Sequence, residues 1–165
     1  HPIGLEGTNH LFQQSTLSIV YQHIEQQLSV KINNTLGDIA RISDTLSSNG
    51  VRTNAMSVAD GVYRGYFRFL TDQVEEAKSV LISNGLDVKC ERVISVKLDD
   101  QRGIVAKITS AFAQANINID YFYASVDRSD FETRLIMKVE NVLLATSVLD
   151  EISDVPVGPP ELSLA

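Results

Sequence analysis

Cysteine and histidine are scarce in this chain of 165 residues, and their positions exclude the common catalytic and metal sites. The single cysteine, Cys90, cannot form an internal disulfide, which favours a reducing, cytoplasmic location. The histidines all lie in the first 23 residues: His1, His10 and His23. The rest of the chain therefore has no histidine to act as a base for a serine or for Cys90, and it has no cysteine or histidine at metal-ligand spacing. We expect no enzyme activity, no cofactor and no metal site.

The chain also lacks long apolar runs and an excess of positive charge. No apolar run approaches the ~20 residues that a membrane span needs, and the first residues lack the basic start and apolar block of a signal peptide. A formal net charge of -7 repels phosphate backbones and anionic lipid, so nucleic acid and membranes are unfavourable partners. The remaining composition, 44% hydrophobic and 21% charged, is that of a globular protein. The sequence therefore predicts a folded cytoplasmic protein that binds neither nucleic acid nor membrane.

One glycine-centred stretch occurs twice. Residues 33–42 read NNTLGDIARI and residues 99–108 read DDQRGIVAKI, so Gly37 aligns with Gly103, 66 positions later. In both copies an alternating apolar run precedes the glycine, and a helical pattern that ends in a turn and a β-branched run follows it. One structural unit has been used twice. A unit of roughly 60 residues buries only about 60% of its unfolded surface, so we expect the units to pack on each other or on a second chain.

Both repeats predict the element order βαββαβ. The first predicts strands at 28–32, 51–58, 62–70 and 86–90 and helices at 39–48 and 74–83, with a hairpin at the Asp-Gly pair of residues 60 and 61. Ile39, Ile42 and Leu46 are predicted to form the buried face of its first helix. The second predicts strands at 94–98, 117–125 and 131–139 and helices at 103–115 and 142–152. Right-handed crossovers make each unit a ferredoxin-like α+β sandwich, an antiparallel sheet with its helices on one face. Cys90 is in phase with Val88 and is predicted to be a packed strand residue.

The predicted boundaries are an N-terminal extension at 1–25, a first domain at 26–92 and a second domain at 93–165. In the extension, the apolar residues of 17–24 fall at helical spacing, which favours a short amphipathic helix and leaves a strand possible. The closing strand of the second domain is the weak point of the pattern. The prolines of the C-terminal tail limit that strand to a short edge strand at 162–164. No loop-like stretch separates the two domains, so we expect them to behave as one rigid block.

With its elements in this order, the chain resembles tandem ACT domains from about Gln27 to Glu151. In that family the first strand ends in an acidic or amide residue, followed by two positions, a glycine and an aliphatic residue. Here Asn34 and Gly37 form one copy of this pattern and Asp100 and Gly103 form the other. The resemblance implies a non-catalytic protein that binds a small amino acid and regulates a metabolic enzyme.

The resemblance also implies a ligand site at the glycine turns. A glycine between strand and helix lets a ligand approach the backbone, and the free amides of the first helical turn can receive its carboxylate. Asn34 or Asp100 would take the ammonium group, and the second strand of a neighbouring domain would bring in Asn54 or Asp120. The predicted ligand-binding residues are Asn34, Thr35, Leu36, Gly37, Asp38, Ile39, Asn54, Asp100, Gln101, Arg102, Gly103, Ile104, Val105 and Asp120. The plain alternative is that the glycines only form turns and that Asn34 and Asp100 cap helices.

Two other functions fit the same order of elements. RNA-recognition modules share it and read bases with aromatic residues of the third strand, and the run Arg64–Phe69 begins like their signature. Bulky Phe67, the lack of an aromatic partner on the first strand and the acidic charge speak against this function. The other alternative is a purely structural subunit that mediates dimerisation. Whatever the function, the unpaired edges of small sheets need covering. We therefore expect the chain to form a homodimer that pairs sheet edges or packs outer faces.

Overall fold

The computed structural model of the chain describes residues 19–33, 37–59, 65–98, 103–126 and 133–153. The elements are β1 (Ile19–Ile32), α1 (Asp38–Ser48), β2 (Ala55–Ala59), β3 (Gly65–Leu70), α2 (Val74–Ser83), β4 (Val88–Leu98), α3 (Ile104–Gln114), β5 (Ile119–Val126), β6 (Thr133–Val139) and α4 (Val142–Ile152). The helices predicted within the two repeats are present, and β2 pairs with β3 and β5 with β6 as predicted. The turn predicted at residues 60 and 61 lies outside the described residues. β2, β3, β5 and β6 are shorter than predicted, whereas β1 is longer and β4 joins two predicted strands into one.

The strands form one antiparallel sheet in the order β2-β3-β1-β4-β6-β5. Its centre is the long pair β1 and β4, and each of these two strands serves both repeats. The first unit consists of β2, β3, the second half of β1 and the first half of β4. The second unit consists of β5, β6, the second half of β4 and the first half of β1. The prediction of two ferredoxin-like units is therefore confirmed. The predicted division between residues 92 and 93 falls inside β4, and we retain it as a proposal.

The helix predicted in the N-terminal extension is wrong. Residues 19–25 form the first half of β1 and pair with β4 in a register that sets Ile24 opposite Ile94. The second half of β4 needs a backbone partner on the side away from β6, and β1 supplies it. This is the place that the pattern assigned to the C-terminal tail. The tail strand predicted at 162–164 lies outside the described residues.

Two separate apolar cores lie on the helix side of the sheet. The first unit buries Leu28, Val30, Ile32, Ile42, Leu46, Val51, Phe67, Phe69, Ala77 and Leu81. The second unit buries Ile94, Val96, Leu98, Ile104, Ile108, Phe112, Ile117, Leu135, Met137, Val139, Val142, Ala145 and Leu149. Strand residues of alternate positions and helix residues three or four apart make up both sets, as their periodicities require.

The opposite face of the sheet is closed as well. Ala55 and Leu70 of the first unit pack there against Val93 and Ile136, with Tyr123 of β5 alongside. We call this cluster the inter-unit joint. Because β2 and β5 stand at the two ends of the strand order, their contact requires the sheet to curl toward its helix-free face. The joint therefore buries a face that the sequence pattern leaves open to solvent.

The second strand of each unit, β2 or β5, begins later than predicted, and the physical reason is the same in both units. The backbone N–H of Val51 donates to the carbonyl of Leu46 at 3.0 Å, and the N–H of Ile117 donates to the carbonyl of Phe112 at 2.8 Å. These bonds close the preceding helices, so the residues are not free to join a ladder. β2 therefore begins at Ala55 and β5 begins at Ile119.

Candidate functional site

The glycine turns are the predicted site, and both have the required backbone. Gly37 has φ 93° and Gly103 has φ 78°, and each is the residue from which a helix begins. Apart from the glycine's own neighbours in sequence, no heavy atom of the described residues would lie within 4 Å of a Cβ atom at either position, so a ligand has room to approach the backbone. The amides of the first helical turn have no acceptor inside the helix, which makes each turn a suitable place for a carboxylate.

The two turns differ in charge. Asp38 is the first residue of α1, and its Oδ2 accepts the backbone N–H of Asn33 at 3.1 Å. Its carboxylate already occupies the electropositive helix end and opposes a second anion there. The first turn of α3 contains no acidic residue and begins with buried Ile104. A ligand carboxylate is therefore less opposed at the α3 turn.

The structure keeps the two turns far apart within one chain. The α1 turn follows the end of β1, and the α3 turn follows the end of β4, which is antiparallel to β1. At about 3.3 Å per residue, the 14 residues of β1 separate the turns by roughly 40 Å. One ligand cannot bridge them. The predicted site residues Asn34, Thr35, Leu36, Asp100, Gln101 and Arg102 lie outside the described residues.

The strand-entry residues do not meet the turns of their own units. Asn54 donates its backbone N–H to the carbonyl of Leu70 at 2.8 Å, and Leu70 is level with Gln27 of β1. The turn lies beyond Ile32, five residues or roughly 17 Å further along that strand. The carboxylate of Asp120 contacts residues of its own hairpin. Asn118 Nδ2 donates to its Oδ1 at 2.9 Å, and Lys138 Nζ lies 3.9 Å from its Oδ2. In the first unit, the turn and the strand entry therefore do not form one site.

The last two predicted site residues, Ile39 and Val105, are exposed. Ile39 and Val105 occupy equivalent positions on α1 and α3, and their exposed fractions are 47% and 38%. They were predicted near a ligand, and Ile39 was also predicted on the buried helix face. The second expectation is wrong, because α1 buries Ile42 and Leu46 instead. Both side chains are available to a ligand or to another chain.

A buried polar chain crosses the joint, and the sequence reasoning missed it. The hydroxyl of Tyr123 donates to Gln27 Oε1 at 2.8 Å, Gln27 Nε2 donates to the hydroxyl of Tyr121 at 2.5 Å, and that hydroxyl donates to Glu91 Oε2 at 2.9 Å. The guanidinium of Arg68 stacks on the Tyr121 ring, 3.8 Å from its centroid. Gln27 is fully buried. These contacts tie β5 to strands of the first unit, and burial raises the pKa of Tyr121 and of Tyr123.

A second polar cluster surrounds Glu25 on the same face. His23 Nε2 lies 2.8 Å from its Oε1, and Arg134 Nη1 lies 4.0 Å from its Oε2. Burial acts to raise the pKa of Glu25, but the hydrogen bond and charge of His23 and the charge of Arg134 outweigh it and lower that pKa. Glu25 is therefore held in its charged form. This cluster fixes the first half of β1 on the second unit.

Cys90 is exposed, contrary to prediction. It lies in the first half of β4, where β6 no longer covers the strand, since the pairing of β6 with β4 begins at Ile94. Cys90 lines a surface groove of about 370 Å³ together with Lys89, Arg92, Lys138 and the start of α4. None of the predicted ligand-binding residues lines that groove. Within the described ranges there is no cluster of three metal-ligating side chains and no helix long and apolar enough to cross a membrane.

Comparison with known families decides the classification. The family model described as an ACT domain pair matches residues 23–151. The chain belongs to the ACT domain pair family. The match begins within β1 and ends within α4, so it includes only residues 23–25 of the half-strand 19–25 that completes the second unit. ACT domains are regulatory, non-catalytic modules, and the chain is a member of that class.

Solved structures show the same fold. A protein from Bacteroides thetaiotaomicron is 19% identical with a TM-score of 0.70, and the alignment covers 79% of this chain and 89% of that one. The ligand-free regulatory subunit of aspartate kinase from Thermus thermophilus is 16% identical with a TM-score of 0.59, covering 83% and 98%. The corresponding subunit from Thermus flavus is 16% identical with a TM-score of 0.59, covering 82% and 96%. A comparison with curated proteins gave no match.

Proposed function

We propose that this ACT domain pair is a regulatory protein that binds a small amino acid at its glycine turns. The observation that carries the proposal is the repeated turn itself: Gly37 and Gly103 each leave open space among the described residues, before a helix whose first amides have no acceptor inside the helix. An amino acid presents a carboxylate to such amides and an ammonium group to an acidic or amide side chain. Asp100 and Asn34 occupy the matching positions of the two repeats.

The α3 turn is the stronger of the two sites in this proposal. Its helix begins without an acidic residue, whereas Asp38 already neutralises part of the dipole of α1. A carboxylate near a helix N-terminus gains about 0.3–1 kcal/mol from the dipole at an exposed site, and a like charge in the same turn opposes that gain. The contact with the ligand's ammonium group also favours the α3 turn, because Asp100 is a charged acceptor and Asn34 is a neutral one.

The regulated partner is proposed to be a metabolic enzyme, and the chain would act on it as a separate cytoplasmic subunit. Two of the similar structures are regulatory subunits of aspartate kinase, and these proteins match along nearly their whole length. That likeness concerns the fold, and it leaves the identity of the regulated enzyme to experiment.

The RNA-recognition alternative is not favoured, because the residues of β3 that would contact bases are covered by other parts of the chain. Phe67 and Phe69 of β3 are buried beneath the helices, and Arg68 on the opposite face is stacked on Tyr121. Stacking of bases on the third strand requires the helix-free face of that strand to be exposed. The structural-subunit alternative remains, and it predicts that no amino acid binds.

Thermal-shift screening with the twenty amino acids tests the proposal, since a ligand that binds only the folded state raises the midpoint by mass action. Calorimetric titration with the selected amino acid then compares variants. Gly103→Val should abolish binding at the α3 turn, and Gly37→Val should abolish the weaker binding at the α1 turn. Asp100→Ala should weaken binding at the α3 turn by roughly 1.5–3 kcal/mol, the usual contribution of a hydrogen bond to a charged group.

The matched control is Gly85→Val. Gly85 also has a positive φ, 78°, and open space around it, but it follows the C-terminal end of α2. The substitution imposes similar backbone strain away from both turns, so affinity should be unchanged. Unchanged affinity in folded Gly37→Val and Gly103→Val proteins would place the ligand elsewhere. No thermal shift with any amino acid would favour the structural subunit.

A further inference from the structure

β4 has an open edge along its first half. β1 pairs with β4 from Val88 to Leu98, whereas β6 pairs with β4 only from Ile94 onward. Among the described strands none pairs with Val88–Val93 on the side away from β1. We call this stretch the open β4 edge. The unpaired edge of a strand is a template on which another extended segment can add.

The pairing with β1 shows which backbone groups face the opening. The N–H of Lys31 donates to the carbonyl of Asp87 at 3.0 Å, directly before β4 begins. Bonded and non-bonded residue pairs alternate along an antiparallel ladder, so Asp87 and every second residue after it bond to β1. The N–H and carbonyl groups of Val88, Cys90 and Arg92 therefore point away from β1, toward the opening.

The opening is a groove of about 370 Å³. Residues 89–92 form one side of it, and residues 138–143, which include the end of β6 and the start of α4, form the other. At about 3.3 Å per residue, Val88–Val93 offers roughly 20 Å of strand edge. In an antiparallel pairing of two β4 strands, the β6 of each copy would collide with the residues before Val88 of the other. The opening therefore suits one short extended segment better than the sheet of a second copy.

The exposed charge beside the open β4 edge is mainly positive, although the whole chain has a formal charge of -7. The side chain of Lys89 is 74% exposed, and Arg92 is exposed with no carboxylate of the described residues paired to it. The groove lining also contains two acids, Glu91 and Glu140. Glu91 is 15% exposed, with its Oε1 3.4 Å from Lys89 Nζ, whereas Glu140 is exposed. Two exposed cations beside one exposed acid favour an acidic segment.

An apolar contact lies beside these charges. Leu143, in the first turn of α4, is 67% exposed and lines the groove. Side chains of an added strand alternate between the two faces of the sheet. Acidic and apolar residues of one segment can therefore reach the two cations and Leu143 together.

We propose that an extended acidic segment of a partner protein docks on the open β4 edge and adds a strand in line with β6. Its backbone bonds to the outward-facing groups of Val88, Cys90 and Arg92, and its carboxylates contact Lys89 and Arg92. None of the described residues of the glycine turns lines the groove. The proposal therefore does not depend on amino-acid binding.

Random peptides long enough to span the opening, displayed on phage and selected against the wild-type chain, supply the probe. The selected sequences should be acidic with interspersed apolar residues, and a labelled synthetic copy of the most enriched one is then titrated by fluorescence anisotropy. Lys89→Glu/Arg92→Glu should weaken its binding at least about tenfold, because like charges then face each other. The matched control, Arg52→Glu/Lys107→Glu, changes the net charge equally on exposed residues outside the groove, so its affinity should equal that of the wild type.

Hydrogen exchange of the wild-type chain supplies a readout that needs no variant. On peptide binding the amides of Val88, Cys90 and Arg92 should become protected. The amides of Lys89 and Glu91 already bond to β1, so their exchange should not change. This alternation along β4 is expected of an added strand and not of a ligand that contacts side chains alone.

The proposal is overturned if no acidic peptide is enriched, if the double-glutamate variant binds as tightly as its control, or if the newly protected amides lie elsewhere. Protection of the three amides in the chain alone that increases with protein concentration would assign the open β4 edge to a second copy. Protection in the chain alone that is lost when residues 154–165 are deleted would assign the edge to the chain's own tail. Either result would exclude the partner segment.

Discussion

Replacing Gln27 by leucine should destabilise the protein because Gln27 carries the polar chain across the joint. The side chain is fully buried, accepts the hydroxyl proton of Tyr123 and donates to the hydroxyl of Tyr121. Leucine has nearly the same volume, so the change removes hydrogen bonds without opening a large cavity. Tyr121 keeps Glu91 as its acceptor, but the half-buried hydroxyl of Tyr123 loses Gln27 Oε1 as its acceptor.

The magnitude follows from these contacts. The three lost hydrogen bonds, to Tyr121, Tyr123 and Ser29, cost about 1 kcal/mol each, and the tyrosine hydroxyl left without an acceptor adds roughly 1–3 kcal/mol. The greater apolar character of leucine offsets about 1 kcal/mol of this loss. The expected net destabilisation is about 3–5 kcal/mol, a large share of the 5–15 kcal/mol typical of a folded domain. Adding Tyr123→Phe removes the other partner, so the double variant should be more stable than the sum of the single effects predicts by about 1 kcal/mol.

Urea denaturation at neutral pH and one fixed protein concentration measures these differences. With slopes of about 1–3 kcal/mol per molar urea, the midpoint of the Gln27→Leu variant should fall by at least about 1 M. Gln26→Leu is the matched control, since Gln26 is exposed on the same strand, and its midpoint should not move. A Gln27→Leu midpoint equal to that of the control, or strictly additive effects in the double variant, would refute the role assigned to this network.

Two further predictions concern the first half of β1. Deleting residues 1–25 should abolish the cooperative thermal transition of the second unit, seen by near-ultraviolet circular dichroism, because one of its four strands is lost; a full cooperative transition would contradict this. The lowered pKa of Glu25 stabilises the folded state above the usual carboxyl pKa of 4.5, and this stability is lost as pH falls through the folded-state value. Glu25→Gln should therefore flatten the acid side of the stability profile, and an unchanged acid slope would count against the ion cluster.

Much of the fold was predictable because local periodicity determines it. The apolar alternation of β1 and β4, the helical spacing of α1 to α4 and the repeated glycine turn identified two βαββαβ units and their family. Both turn glycines have the positive φ that the pattern requires. The candidate turn residues were also recognisable, since Gly37 and Gly103 are marked by their neighbours in sequence.

The strand exchange was not predictable in the same way. Residues 17–24 carry apolar side chains at a spacing that fits a helix, and only the unpaired edge of β4 makes residues 19–25 a strand. Backbone hydrogen bonds to β4 hold residues 19–25 in place, and a segment of almost any sequence can form such bonds at an unpaired strand edge. Local propensity is therefore overridden by a partner about 70 residues away.

The sequence by itself determined the repeat, the core-facing residues and the two turns. The tertiary structure alone decided which strand completes the second unit, that Gln27 and Tyr123 meet across a closed joint, and that the two turns lie roughly 40 Å apart along β1. The physical reason is that side-chain periodicity reports which face of a strand is buried, but not which strand lies beside it or how far the sheet curls.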